Sequence, residues 1–204
     1  MPLLAKSDGS KFGKTASGAI WLDATMTSAY EFFQFWLNSD DADMPKLLKV
    51  FSMKDRKEIE RLIETVNTNP GAREAHRELA REMTTLIHGA DMAKKVEEAA
   101  KALFGQGEIS ELDLATLDSA LSQLPKTQVK KGEDFPTWVD LLAATGVVDS
   151  KSAARRIVKE GGAYLNNKKV ESEDFTPSKS DLLHGKYLLL RKGKRDLAAV
   201  EVVA

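Results

Sequence analysis

Cysteine is absent from this 204-residue chain, so it forms no disulfide and offers no thiolate to a metal. Histidine is scarce: His76, His88 and His184 are scattered without ligand spacing, and no structural metal is expected. Long apolar runs are missing too. None approaches the roughly 20 residues a membrane-spanning helix needs, and the opening Met1-Pro2-Leu3-Leu4-Ala5-Lys6 lacks the apolar stretch of a secretory signal. A cytoplasmic chain with no membrane partner is the expectation. Excess charge of either sign is also lacking, because 30 Lys and Arg offset 31 Asp and Glu for a formal net charge of -1. An evenly spread balance of this kind would argue against a nucleic-acid partner.

The charge is not evenly spread. Between Asp40 and Asp113 there are 16 acidic and 12 basic residues, whereas Ser150 to Val170 holds six basic residues and one acid. Lys186 to Arg195 adds five basic residues and no acid. The whole-chain balance therefore hides a basic C-terminal module, the electrostatic footprint of a phosphate-backbone binder. With 42% hydrophobic residues the chain can bury a sizeable core.

Local patterns divide the chain into four parts. Residues 1–23 are rich in Gly, Ser and Lys and read as a loop, with a strand or turn at Ala19-Ile20-Trp21-Leu22. Residues 24–124 read as helical: Ile59, Leu62, Ile63 and Val66 follow the spacing of one buried helix face, as do Leu79, Met83 and Leu86, and then Val96, Ala100 and Leu103. Helix starts are expected at Thr27 or Ser28, at Ser52 with Arg56 nearby, and at Asn69-Pro70. The aromatic group Tyr30, Phe32, Phe33, Phe35 and Trp36 reads as core rather than as a base-stacking platform. Residues 125–134, with three lysines, a glycine and a proline, read as an exposed linker. In residues 135–204, Trp138, Leu141 and Leu142 predict a short helix and Ser150 caps a second one. Gly161-Gly162 ends that helix, Asn166-Asn167 turns a hairpin, and Tyr187–Arg191 with Leu197–Val203 form a last strand pair. The fold class is α+β: a mostly helical bundle followed by a small α+β domain.

Two sequence features carry chemistry. Lys11-Phe12-Gly13-Lys14-Thr15 sits between Asp8-Gly9 and Ser17-Gly18, so two ammoniums and a hydroxyl lie on a glycine-rich loop that suits a polyphosphate. A P-loop needs a glycine five residues before Gly13-Lys14-Thr15, but that position is Asp8. The nucleotide hydrolase that such a loop would imply also lacks an acidic metal-binding partner at the end of a strand. The segment instead resembles the lysine-serine loop of class I aminoacyl-tRNA synthetases. With Pro2-Leu3-Leu4 before it and Ser17 to Asp23 after it, it is similar to that loop in the bacterial tyrosyl-tRNA synthetases. The second feature is Ser150 to Val158, where Lys151, Arg155 and Lys159 recur at four-residue spacing beside Arg156. Together with Gly161-Gly162 and the hairpin from Ala163 to Val170, it resembles the RNA-binding domain named after the fourth small-subunit ribosomal protein. Asn167 stands where that domain usually has glycine. The helical middle, with its break at His88-Gly89-Ala90-Asp91, is similar in position to the anticodon-binding domain of the synthetase family.

The resemblance implies a set of roles. Lys11 and Lys14 would stabilise the departing pyrophosphate during amino-acid activation, with Thr15 bonding a phosphate oxygen. Lys151, Arg155, Arg156, Lys159, Lys168, Lys169, Arg191 and Lys192 would meet RNA. The partner would be the tyrosine tRNA, and ATP with magnesium would serve the whole enzyme, with no tightly bound cofactor in this piece. No His-x-Gly-His signature or alternating strand-helix pattern precedes the lysine loop, so the chain is expected to be the C-terminal part of a tyrosine-tRNA ligase and inactive alone. The family's dimer contact belongs to the absent domain, so a monomer is expected. The alternative from another class is a stand-alone RNA-binding adaptor with a vestigial synthetase loop.

Overall fold

The computed structural model describes residues 5–7, 9 and 20–204. Its two units are Met1–Glu97 and Glu98–Ala204. The lysine loop, Lys11 to Thr15, lies outside the described residues. So does Ala19, and Ile20-Trp21-Leu22 forms no strand, with Trp21 and Leu22 exposed.

The first unit is helical because its apolar residues recur at helical spacing and its helix ends are capped. α1 (Ala29–Leu37) opens with a capping box in which Ser28 Oγ accepts from Glu31 N–H and the Glu31 carboxylate accepts from Ser28 N–H. Its aromatic group is core, as expected, for Tyr30, Phe32, Phe33 and Trp36, which are buried, whereas Phe35 is only partly so. Trp36 meets Phe51 edge-to-face at 5.0 Å between ring centroids. α2 (Met44–Phe51) follows, then α3 (Arg56–Thr68), whose N-cap is Asp55 accepting from Glu58 N–H. Ser52, expected to start this helix, closes α2 instead and donates to the Glu82 carboxylate at 2.7 Å. Asn69-Pro70 opens only a 3₁₀ turn, Pro70–Ala72, before α4 (Glu74–His88). α1, α2 and α3 all pack on α4. Gly89, at φ 86°, separates α4 from α5 (Ala90–Leu103).

The second unit holds the end of α5, then α6 (Leu114–Ser122), β1 (Lys126–Lys130), α7 (Trp138–Ala144), α8 (Lys151–Lys159), β2 (Ala163–Leu165), β3 (Lys168–Lys169), β4 (Tyr187–Lys192) and β5 (Asp196–Val203). The sheet order is β1-β5-β4-β2-β3, with β1 parallel to β5 and the other pairs antiparallel. The segment read as an exposed linker therefore contains an edge strand in register with β5, from Lys126 opposite Ala199 to Lys130 opposite Val203. The residue pattern hides the strand, because only Val129 is buried and lysines flank it.

Both faces of the central strands are covered. Leu188, Leu190, Ala198 and Val200 join Trp138, Leu142, Ala154 and Val158 of α7 and α8 in one core. Tyr187, Leu189, Leu197 and Ala199 alternate onto the other face and are buried too. That face meets α6, where the Tyr187 hydroxyl donates to the Asp118 carboxylate. Two more contacts tie the sheet to the segment before β1. Asn167 Nδ2 donates to the Ala102 carbonyl at 2.6 Å, and His184 Nε2 lies 2.6 Å from the Leu112 carbonyl. The unit thus begins at Glu98, well before the linker region, because the end of α5 and α6 belong to its packing.

Candidate RNA-binding surface

α8 is positioned by its two ends. Ser150 Oγ accepts from Ala153 N–H at the start. At the finish Gly161, at φ 71°, donates to Val158 O while Gly162 donates to Ile157 O, both at 2.9 Å. This pair of bonds is a Schellman cap, which requires a left-handed residue. Ala154 and Val158 point into the core, so Lys151, Arg155, Arg156 and Lys159 are turned outward, with side chains 53 to 75% exposed. The cationic helix face read from the spacing is present.

The hairpin forms next to it. Leu165 pairs with Lys168, and the two residues between them, Asn166 at φ 46° and Asn167 at φ 66°, adopt the left-handed conformations of a two-residue turn. Asn166 locks the turn by accepting from Leu189 N–H at 2.8 Å and donating to Asp181 O at 2.6 Å. Lys168 and Lys169 are exposed. A side chain at Gly161 would come within 3.2 Å of Lys169 Nζ, so this ammonium sits at the C-terminal end of α8. Its charge there also complements the helix dipole.

Arg191 and Lys192 are held differently. The Arg191 guanidinium stacks 3.8 Å from the Tyr164 ring centroid and donates to Asn167 Oδ1 at 3.2 Å and to Gly193 O at 2.8 Å. Lys192 pairs with Asp196 at 2.8 Å. Both side chains are engaged within the protein and only partly exposed.

Charge and spacing along the chain carry no sign of the carboxylates that border the row. Asp140 pairs with Lys151 at 2.7 Å, and Glu173 lies 3.7 Å from Arg155 and 3.2 Å from Lys159. The Lys151 ammonium and the Thr137 hydroxyl hold the Asp140 carboxyl below the usual carboxylate range. These partners come from α7 and from the loop after β3, so only the tertiary fold brings them to α8. Among the described residues no group of three or more His, Asp or Glu side chains could hold a metal ion. No described helix is long and apolar enough to cross a membrane.

Comparison with known proteins gives this surface a context. Residues 116–200 match the tyrosine-tRNA ligase SYY-like C-terminal domain, and residues 1–105 match the family of class I tRNA synthetases (W and Y). A protein named tyrosine-tRNA ligase from Streptomyces avermitilis is 59% identical over 98% of this chain and 47% of its own length. One of the same name from Corynebacterium glutamicum is 47% identical over 100% of this chain and 48% of its own. A solved, C-terminally truncated mitochondrial tyrosyl-tRNA synthetase from Aspergillus nidulans is 40% identical, covering 42% of this chain and 25% of its own, with a TM-score of 0.41. The chain thus spans about half the length of the curated relatives it matches. Those matches extend over both units, and the chain belongs to the class I tRNA synthetases of the tryptophan and tyrosine group, corresponding to the C-terminal part of proteins named tyrosine-tRNA ligase.

Proposed function

We propose that this chain is the tRNA-binding C-terminal part of a tyrosine-tRNA ligase, which activates tyrosine with ATP and transfers it to the tyrosine tRNA in the cytoplasm. One observation carries the reading: four outward cations on α8, with Lys168 and Lys169 on the adjoining hairpin, stand on a domain that matches the ligase C-terminal family. Such a row neutralises backbone phosphates and releases their counterions, which favours binding most at low salt. Arg155 and Arg156 can also offer planar, two-point contacts to phosphate.

ATP and magnesium belong to the complete enzyme in this reading. Lys11, Lys14 and Thr15 are the residues proposed to meet the nucleotide, because two ammoniums and a hydroxyl suit a polyphosphate that gains charge as it departs. The chain alone is proposed to be a monomer without synthetase activity. Two experiments test the reading. Purified chain should bind the tyrosine tRNA more tightly than an unrelated tRNA at two salt concentrations, and it should give no tyrosine-dependent ATP-pyrophosphate exchange. Binding that ignores salt, or measurable exchange, would refute it.

A further inference from the structure

We propose that Glu173 is an internal phosphate mimic which occupies the anion seat between Arg155 and Lys159 and thereby lowers the affinity of this surface for RNA. The inference rests on the RNA-binding reading above and adds a residue of opposite charge to it.

The geometry is specific. Arg155 and Lys159 are one helical turn apart on α8, and the Glu173 carboxylate reaches both, one oxygen toward each. Two cations bracketing one anion is the arrangement a backbone phosphate would adopt on the same residues. Glu173 is also not a freely swinging side chain at a loop tip. Its loop is pinned by the Phe175 carbonyl, which accepts from Trp138 N–H at 2.8 Å, and by Phe175 N–H donating to Ser172 O at 3.2 Å. Phe175 itself packs against the core shared by α7, α8 and the sheet. The carboxylate is therefore delivered to the row by the fold.

A half-exposed ion pair of this kind contributes little to stability. Its effect on an incoming polyanion is larger, because the phosphate must displace the carboxylate and then remain beside its negative charge. A phosphate at this seat must therefore replace the Glu173 carboxylate, whereas Arg156, among the described residues, pairs with the more exposed Glu160 at 3.8 Å.

The test is a set of tRNA-binding measurements on the full chain at low and moderate salt, using the tyrosine tRNA transcript. Glu173→Gln keeps the shape of the side chain and should tighten binding by about three- to tenfold, the effect of removing about one charge a few ångströms from a phosphate. Glu171→Gln removes the same charge from the same loop and should change affinity less than about twofold, because it is a screened surface charge. In an Arg155→Ala/Lys159→Ala background, Glu173→Gln should give no gain, as expected when the coupling runs through those two cations. A gain equal to that of Glu171→Gln, or one that persists without the two cations, overturns the proposal. Glu173→Ala should reproduce the gain if Gln happens to make a contact of its own. Absence of salt-sensitive binding in every variant, wild type included, is a different failure: it removes the RNA-binding reading itself.

Discussion

Asn167 Nδ2 donates to the carbonyl oxygen of Ala102 at 2.6 Å, so the tip of the β2–β3 hairpin is bonded to the last turn of α5. The same side chain accepts from Arg191 through Oδ1. Glycine could adopt the left-handed backbone here but could make neither bond. Asn167→Gly is expected to lower the stability of this unit by about 1 kcal/mol, the net worth of the lost hydrogen bonds. Asn167→Ala loses the same bonds and keeps a Cβ at positive φ without asparagine's tolerance of that conformation, so it should lie below Gly by roughly 1 kcal/mol. Urea unfolding of the two variants would show Ala below Gly; the reverse order would mean that the hydrogen bonds are not what holds the turn.

Arg191, a cation on a predicted turn and expected to meet RNA, has surroundings that give it a second task. With its guanidinium stacked on Tyr164 and bonded to Asn167 and Gly193, Arg191→Lys should lose the planar stacking and the fork of donors. A stability loss of about 1 kcal/mol is expected in urea unfolding. Full stability of the variant would return Arg191 to the binding row.

The Tyr187 hydroxyl fixes α6 to the sheet through Asp118. That bond, followed by Lys186, holds the Asp118 carboxyl below its ordinary value of 3.8. A carboxylate lowered on folding contributes stability that is present above its unfolded value and is lost as pH falls through the folded one. Tyr187→Phe should therefore cost about 1–2 kcal/mol at neutral pH, reduced from the fully buried case because Asp118 is half exposed. The variant's deficit should shrink below about pH 4 in thermal melts.

In the helical unit, His76 is 1% exposed beside Asp41 and Arg73. Burial first, and then the Arg73 charge, hold its imidazole below the ordinary 6.5, with Asp41 opposing. The folded state then binds fewer protons than the unfolded one, so stability is full above about pH 6.5 and falls as pH drops toward the lowered folded value. The slope cannot exceed about 1.4 kcal/mol per pH unit for this single group. Urea midpoints from pH 7.5 to 5 should fall more steeply for wild type than for His76→Gln, with partly buried His88, also lowered by burial, adding a smaller trend of the same sign to both.

Features set by local chemistry were legible in the sequence. Ser150, the Ala154 and Val158 spacing, and Gly161 specify α8 within a dozen residues, and Asn166-Asn167 specifies the turn. β1 was not legible, because Lys126–Lys130 has one buried side chain and its partner β5 lies some 70 residues away. Parallel pairing of that kind leaves little trace in local periodicity. The site divides in the same way. The cations follow from helix spacing, whereas Glu173 and Asp140 reach them only through packing, and the engagement of Arg191 depends on a ring and a turn from other strands.

Contact between the outward face of α8 and the phosphate backbone, proposed above, is tested by the salt dependence of tyrosine-tRNA binding by wild type and by Arg155→Ala/Arg156→Ala. Each phosphate contact adds about 0.7–0.9 to the slope of log affinity against log salt concentration. Weaker binding by the double variant is expected, with a slope shallower by roughly 1.4–1.8, as two lost contacts require. An unchanged slope would place the RNA on another surface of the protein.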